Sequence, residues 1–460
     1  MDREAHLETI RTKLFYGLSR YTKSFPDFSI SQKFLVASPR ECKQFLREVE
    51  ASLRGEEEIL LYVHLPFCHQ ECVFCNASPR KMSRELQRQY LDTLLREIDI
   101  YAESGLFDGR RLRCVYFGGG TPTTYSNAAL ASILDRIRAS ADLSDDCNVT
   151  CEAHPQGLVK NDRLAELAGL GIDRISVGSQ SFDPRILELC NRKGSESQVA
   201  EVIERARGLG VSTNVDMMIG LPGQTLESVR KDLDILTQMG PDSVEYMRHE
   251  IVNPLALSLF ESDPELMVTD DQLFWMVLHT QEWMEENGYE QNGHFESQRC
   301  FPFRYHWLEE TPFIGLGSRS RSYTKTTCYD THEDLALYSQ MVRKGIPPVA
   351  RFMPLDKTEQ MYRSLFLQLQ LKRGVDLAEF SERFGETPAE AFPSLVGHLG
   401  ECECIAVDES SIRLTRTGRY FIEDVCCCII DHALEGSGYP SHFKRLPHSS
   451  GARSRQALAD

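Results

Sequence analysis

Residues 60–82 read LLYVHLPFCHQECVFCNASPRKM. The opening apolar run predicts a buried strand. It leads straight into Cys68, Cys72 and Cys75, spaced CxxxCxxC. Three thiolates on one short loop are suited to three irons of a [4Fe–4S] cluster, because cysteine sulfur is the usual protein ligand of such clusters. No fourth cysteine stands at this spacing, so one iron keeps an open position, as a reactive metal requires. A structural zinc site usually draws on two CxxC-like pairs, and no second pair lies nearby.

Working outward, strands and helices alternate from Leu60 onward, the pattern of an α/β fold with a parallel sheet. Further strands are predicted at 113–117 (RCVYF), 148–151 (NVTC), 172–177 (IDRISV), 211–219 (VSTNVDMMI) and 243–250 (SVEYMRHE). Together with the first they predict a partial (β/α)6 barrel, open on one side. Helices are predicted at 40–54, 83–104 and 270–287. Polar and glycine residues collect at the strand ends. Gly118, Gly119, Gly120, Thr121 and Pro122 follow the second strand, where the lack of Cβ atoms lets backbone approach a ligand. Glu152 ends the third, where a carboxylate points into the mouth of a barrel. Gln180 follows the fourth, and Asp216 lies inside the fifth, a costly place for a carboxylate without a partner.

The 460 residues suffice for a large catalytic domain and a smaller one. The expected division is an N-terminal arm and helix (1–55), the barrel with its closing segment (56–325), a helical C-terminal domain (326–435) and a disordered tail (436–460). A net charge of −17 argues against general nucleic-acid binding. No apolar run is long enough to span a bilayer, and the first residues lack the apolar core of a signal peptide. The 15 cysteines are therefore expected to be thiols and cluster ligands in a reducing cytoplasm. Cys426, Cys427 and Cys428 are consecutive and cannot all face one metal from a helix, so they predict no second cluster.

The cysteine segment, the GGGTP turn and the strand-end residues resemble the HemN-like branch of the radical SAM family, and the likeness covers most of the chain. The resemblance implies S-adenosylmethionine (SAM) on the open iron, with a second SAM nearby. By the same resemblance Tyr62, Gly119, Gly120, Thr121, Glu152, Gln180, Arg192 and Asp216 line the first SAM site, and Phe74 and Met218 stand near the second. Arg20, Tyr21 and Thr22 match an N-terminal arm near the active site. Residues 412–419 resemble the strand and wing of a winged-helix module, read here as a lid. The loop FIGLGSRSRSY (313–323) departs from the family's small residues at Arg319 and Arg321, which are expected to face an anionic substrate. The expected partners are a small-molecule substrate and a reduced flavodoxin or ferredoxin-type electron donor, with the chain a monomer.

Three functions fit. Coproporphyrinogen-oxidising relatives usually carry a further cysteine just after the triad, whereas Asn76 and Ala77 follow Cys75 here. That departure favours methyl or methylene transfer (methylation or cyclopropanation) from the second SAM to an unsaturated or heteroaromatic small molecule. The alternatives are oxidative decarboxylation of porphyrinogen propionates and a haem chaperone on the same scaffold. His69, beside a cluster cysteine, decides between none of them.

Overall fold

Six parallel strands follow one another in chain order and in space: β1 (Glu58–Leu65), β2 (Arg111–Gly119), β3 (Asp142–Ala153), β4 (Arg174–Gln180), β5 (Ser212–Ile219) and β6 (Ser243–Arg248). This computed structural model describes residues 3–14, 35–36, 38–77, 80–160, 162–251, 253–291, 295–296 and 302–436. Arg20, Tyr21, Thr22 and the tail beyond Gly436 lie outside the described residues. The helices α1 (Arg84–Glu103), α2 (Asn127–Ser140), α3 (Glu196–Leu209) and α4 (Leu226–Met239) each connect two of the strands. Each begins at a Ser or Thr whose hydroxyl accepts an N–H of the first turn: Ser83, Ser126, Ser195 and Thr225. Burial on both faces of a strand is expected where helices cover a parallel sheet. Leu60, Leu61, Val63 and Leu65 of β1 are accordingly all fully buried.

Among the described residues the sheet has 13 strands and does not close. On the β1 side, β7 (Phe313–Leu316) adds in parallel, followed by antiparallel β8 (Arg321–Tyr323), β9 (Thr327–Thr331) and β10 (Val349–Pro354). On the other edge, Phe295–Glu296 pairs antiparallel with β6. The partial barrel of six βα units is therefore present, and its sheet runs past the expected boundary at residue 325. Contact topology divides the chain into a unit of Lys33–Asp356 and a second formed by Met1–Gln32 with Lys357–Asp460.

The second unit combines helices with a small antiparallel sheet of Val375–Asp376, Ser411–Leu414 and Ile405–Val407. Residues 412–414 form a strand as expected, but the following wing is a short helix, Arg416–Tyr420. Thr415 starts it by accepting the Gly418 N–H at 2.9 Å. Cys426–Cys428 lie on a helix, Ile422–Gly436, where the buried Cys428 thiol donates to the Leu14 carbonyl at 3.6 Å.

Between β7 and β8 the chain makes a tight, fully anchored turn. The Gly317 N–H donates to the buried Glu97 carboxyl at 2.7 Å, and the Ser318 N–H to the Tyr90 hydroxyl at 2.9 Å. Tyr90 in turn donates to the His64 carbonyl at 2.7 Å, and Tyr338 to Glu97 at 2.6 Å. Burial pushes Glu97 up to about 7, opposed by these two donors. Gly317 has φ +96°, and a Cβ there would stand 2.4 Å from Tyr90 Oη and 2.6 Å from His64 O. Gly317→Ala should therefore lower the stability of the barrel by roughly 2–4 kcal/mol, since backbone strain and overpacking add. Gly208→Ala, in α3 with open space around it, should be neutral or stabilising by up to about 1 kcal/mol. Urea midpoints of the two variants measure the difference.

Candidate active site

The cysteine loop follows β1 at the C-terminal rim of the sheet and is held mainly through its carbonyl oxygens. Asn253 Nδ2 donates to Cys72 O at 3.3 Å and to Cys75 O at 2.7 Å. Asn191 Nδ2 donates to Glu71 O at 2.7 Å, and Arg319 Nη2 to Asn76 O at 2.9 Å. The Val73 N–H donates to Cys190 O at 3.0 Å, and Met82 N–H to Cys68 O at 2.9 Å. Asn253 also caps the helix Pro254–Ser262, so one amide fixes both the loop and a helix start. Sequence reasoning overlooked Asn253, whose signal was Asn before Pro at a helix entry.

The three thiols share this loop, and Cys68 Sγ lies 3.2 Å from Thr121 Oγ1. Burial pushes Cys68 up to about 11 and raises Cys75 as well, with the other loop thiols adding to the effect. The favoured state of Cys68 and Cys75 without metal is the neutral thiol, and a bound metal deprotonates its thiol ligands outright. Arg192 Nη1 stands 3.6 Å from Cys72 Sγ, its Nη2 donates to Gly178 O, and its guanidinium lies 5.8 Å from the centre of the Phe74 ring. A cleft of about 1000 Å³ opens beside the loop, lined by Cys68, Cys72, Thr121, His154 and Arg192 among others.

Inside the barrel the strand-end residues form a second group. Glu152 accepts from the Tyr116 hydroxyl at 2.9 Å and from the Gly119 N–H at 3.2 Å. Burial raises it to about 8, helped by the neighbouring Asp216. Asp216 accepts from Ser176 Oγ at 3.0 Å and Asn214 Nδ2 at 2.5 Å, the partners its place in an apolar strand demanded, and burial with the Glu245 charge raises it to about 6. Gln180 has φ +78°, and its buried Oε1 has no hydrogen-bond partner. The glycines leave room that side chains would fill. A Cβ on Gly118 would meet Glu152 Oε1 at 2.9 Å, on Gly119 the His64 ring at 2.6 Å, and on Gly120 the Phe67 backbone at 2.8 Å. Tyr62 Oη is 3.2 Å from His64 Nδ1, and burial, then the charge of Arg319, lowers His64 to about 3.

One expectation changes, and it concerns Arg321. Phe74 and Met218 pack in one apolar cluster with Ile186, Cys190 and Leu221. Arg321 does not face an open site. It sits opposite Asp330 across the β8–β9 pair and donates to it twice, Nε to Oδ1 at 2.5 Å and Nη2 to Oδ2 at 2.9 Å. Arg351 binds the same carboxylate. Arg319 alone of the two reaches the cysteine loop.

Two family descriptions match this chain: the radical SAM superfamily over residues 62–236 and the HemN C-terminal domain over residues 355–421. The oxygen-independent coproporphyrinogen III oxidase of Escherichia coli is 26% identical over 412 residues, 85% of this chain and 89% of its own length. The heme chaperone HemW of Bacillus subtilis is 28% identical over 380 residues, 79% of this chain and 97% of its own. The solved structure of E. coli coproporphyrinogen III oxidase (HemN), described as a radical SAM enzyme, superposes with a TM-score of 0.76 at 25% identity, covering 89% of this chain and 97% of that one. Fold and site thus define a radical SAM enzyme. Within that class the chain belongs to the HemN-like radical SAM family.

The family implies a [4Fe–4S] cluster and SAM, and the residues present fit both. Among the described residues no three His, Cys, Asp or Glu side chains converge tightly enough for a single metal ion. A cluster takes each cysteine on a different iron, so its ligands need not converge. The unpartnered Gln180 Oε1, the buried carboxyls and the glycine-lined space supply acceptors and room for a cationic amino acid headgroup. Among the described residues no helix is long and apolar enough to cross a membrane. Anaerobic reconstitution should give about four irons per chain. The Cys68→Ala/Cys72→Ala/Cys75→Ala variant should bind none, and Asn253→Ala should bind the cluster but lose it faster to a chelator. Iron analysis and the visible spectrum read both outcomes.

Proposed function

We propose that this enzyme oxidatively decarboxylates propionate side chains of a coproporphyrinogen-like tetrapyrrole. The observation that supports it is the whole-chain likeness to the E. coli coproporphyrinogen oxidase, spanning barrel and C-terminal domain together. Relatives of this kind favour decarboxylation over the methyl transfer suggested by Asn76 and Ala77. In the net reaction a propionate –CH2–CH2–COO⁻ becomes a vinyl group, releasing carbon dioxide, one proton and two electrons, which the cleavage of one SAM to methionine and 5′-deoxyadenosine would take up. When bound, the cluster and SAM supply the one-electron chemistry that removes a hydrogen atom from an unactivated carbon.

The chain's own residues bind and orient. Cys68, Cys72 and Cys75 hold three irons, and Thr121 and Arg192 present a hydroxyl and a guanidinium to the cysteine sulfurs. Glu152, Asp216 and Gln180 receive the cationic and hydroxyl groups of SAM, with Tyr62 on the neighbouring strand and the Gly119–Gly120 backbone close against them. Arg192 offers a planar fork to the SAM carboxylate.

Two measurements test this reading. Glu152 sits at about 8 in the ligand-free barrel, so at pH 7 it carries its proton. An ammonium brought beside it lowers that value through 7, and the proton leaves. Calorimetry of SAM binding at pH 7 in buffers of different ionisation enthalpy should show net proton release, reduced in Glu152→Gln. The second measurement incubates reconstituted enzyme with coproporphyrinogen III, SAM and a reductant. Carbon dioxide and vinyl product should form without S-adenosylhomocysteine. Formation of S-adenosylhomocysteine coupled to a methylated product would replace decarboxylation by transfer.

A further inference from the structure

The turn between β7 and β8 is built to hold one side chain in place. All four of its N–H groups from 317 to 320 are taken: Gly317 by Glu97, Ser318 by Tyr90, Arg319 by His332 O at 3.1 Å and Ser320 by Thr331 Oγ1 at 2.9 Å. Within this frame Arg319 has φ +61°, a left-handed conformation that a long side chain rarely adopts. Such a conformation persists only where the surroundings over-determine it, and it collects at ligand clamps. Glu97, which anchors the turn, is 0% exposed.

The Arg319 side chain reaches the cysteine loop, where Nη2 donates to Asn76 O at 2.9 Å. Asn76 directly follows Cys75, so the guanidinium stands one residue from the last thiol of the loop. Nη1 is buried and makes no hydrogen bond. The nearest acid, Glu333, lies 3.5 Å from Nη1, with its side chain 57% exposed. A loose, solvated ion pair of this kind contributes little and is readily exchanged for a better one. A guanidinium has five N–H groups arranged as a fork that matches a carboxylate. The contrast with Arg321 is instructive, since Asp330 already fills that fork twice.

We infer that Arg319 forms a carboxylate-binding subsite on the lip of the active site, anchoring one anionic arm of the substrate beside the cysteine loop. The Asn76 carbonyl holds one edge of the guanidinium and leaves the rest for the incoming carboxylate, with Glu333 displaced toward solvent. The inference rests on the tetrapyrrole reading, whose propionates supply the carboxylates. It assigns this chain a substrate contact at a position where small residues are the family's pattern.

Binding separates the subsite from a mere tether of the loop. Reconstituted holoenzyme is titrated with coproporphyrin III and with its tetramethyl ester, followed by porphyrin fluorescence, for wild type, Arg319→Gln and Arg319→Lys. Iron content and the visible spectrum confirm that each variant keeps its cluster. Arg319→Gln should bind the free acid about tenfold or more weakly, and Arg319→Lys, which keeps the charge without the fork, should fall between. The ester should bind all three proteins alike. Unchanged acid affinity in both variants overturns the subsite, as does an equal loss for acid and ester. Loss of the cluster in Arg319→Gln and Arg319→Lys alike makes the residue a loop tether and overturns it too. A wild type that binds neither porphyrin overturns the tetrapyrrole reading itself, a result distinct from the others.

Discussion

Everything at this site depends on how a short cysteine loop is held when its own regular structure amounts to the two-residue pairing of Phe67–Cys68 with Arg80–Lys81. A loop near a reactive centre must keep its sulfurs unencumbered, so its backbone carries the anchoring. Carbonyls of Glu71, Cys72, Cys75 and Asn76 are taken by side-chain donors from Asn191, Asn253 and Arg319. These donors come from the segment after β4, the segment after β6 and the turn after β7. The loop is thus tied to the barrel at widely separated points of the chain. The Cys72 and Cys75 carbonyls are partly buried and would be costly without a partner, which makes the Asn253 amide more consequential than its polar, loop-borne character suggests.

A second constraint is space. Glycines end β2, and additional Cβ atoms there would overlap Glu152, His64 and the Phe67 backbone. The same closeness that excludes side chains brings the Gly119 N–H to Glu152. Carboxyls packed this deeply resist ionisation: Glu152 and Asp216 lie above their ordinary values because burial and a neighbouring acid, Asp216 for the first and Glu245 for the second, outweigh their hydrogen bonds. A cation brought into such a cavity favours the ionised carboxylates and so offsets these penalties. The barrel therefore carries electrostatic tension inside and neutral thiols at its rim, and each favours the arrival of a charged or metallic guest.

Much of the catalytic unit was legible in residues 60–82 and the strands that follow. Apolar runs of strand length, each ending in glycine or a polar residue, carried the parallel order because consecutive βα units can pack in few ways. Gly119, Glu152 and Gln180 stand at strand ends, as the same reading expected, and Asp216 stands inside β5. Less legible were the antiparallel strands β8 to β10, whose short segments of three to six residues lack a strong period. The helix Arg416–Tyr420 was misread as a wing because a threonine that caps a helix also suits a turn.

By itself the sequence determined the spacing of three thiols, the order of the strands and the class of chemistry, because these depend on local composition and period. Only the tertiary structure decided which of two arginines, 319 or 321, is neutralised. Their positions differ by two residues and their side chains are identical, yet β9 brings Asp330 opposite one and the strained turn carries the other to Asn76. The structure likewise placed Phe74 and Met218 in one apolar cluster. Charge pairing and side-chain packing are contacts between distant parts of the chain, and no local pattern encodes which partner will arrive.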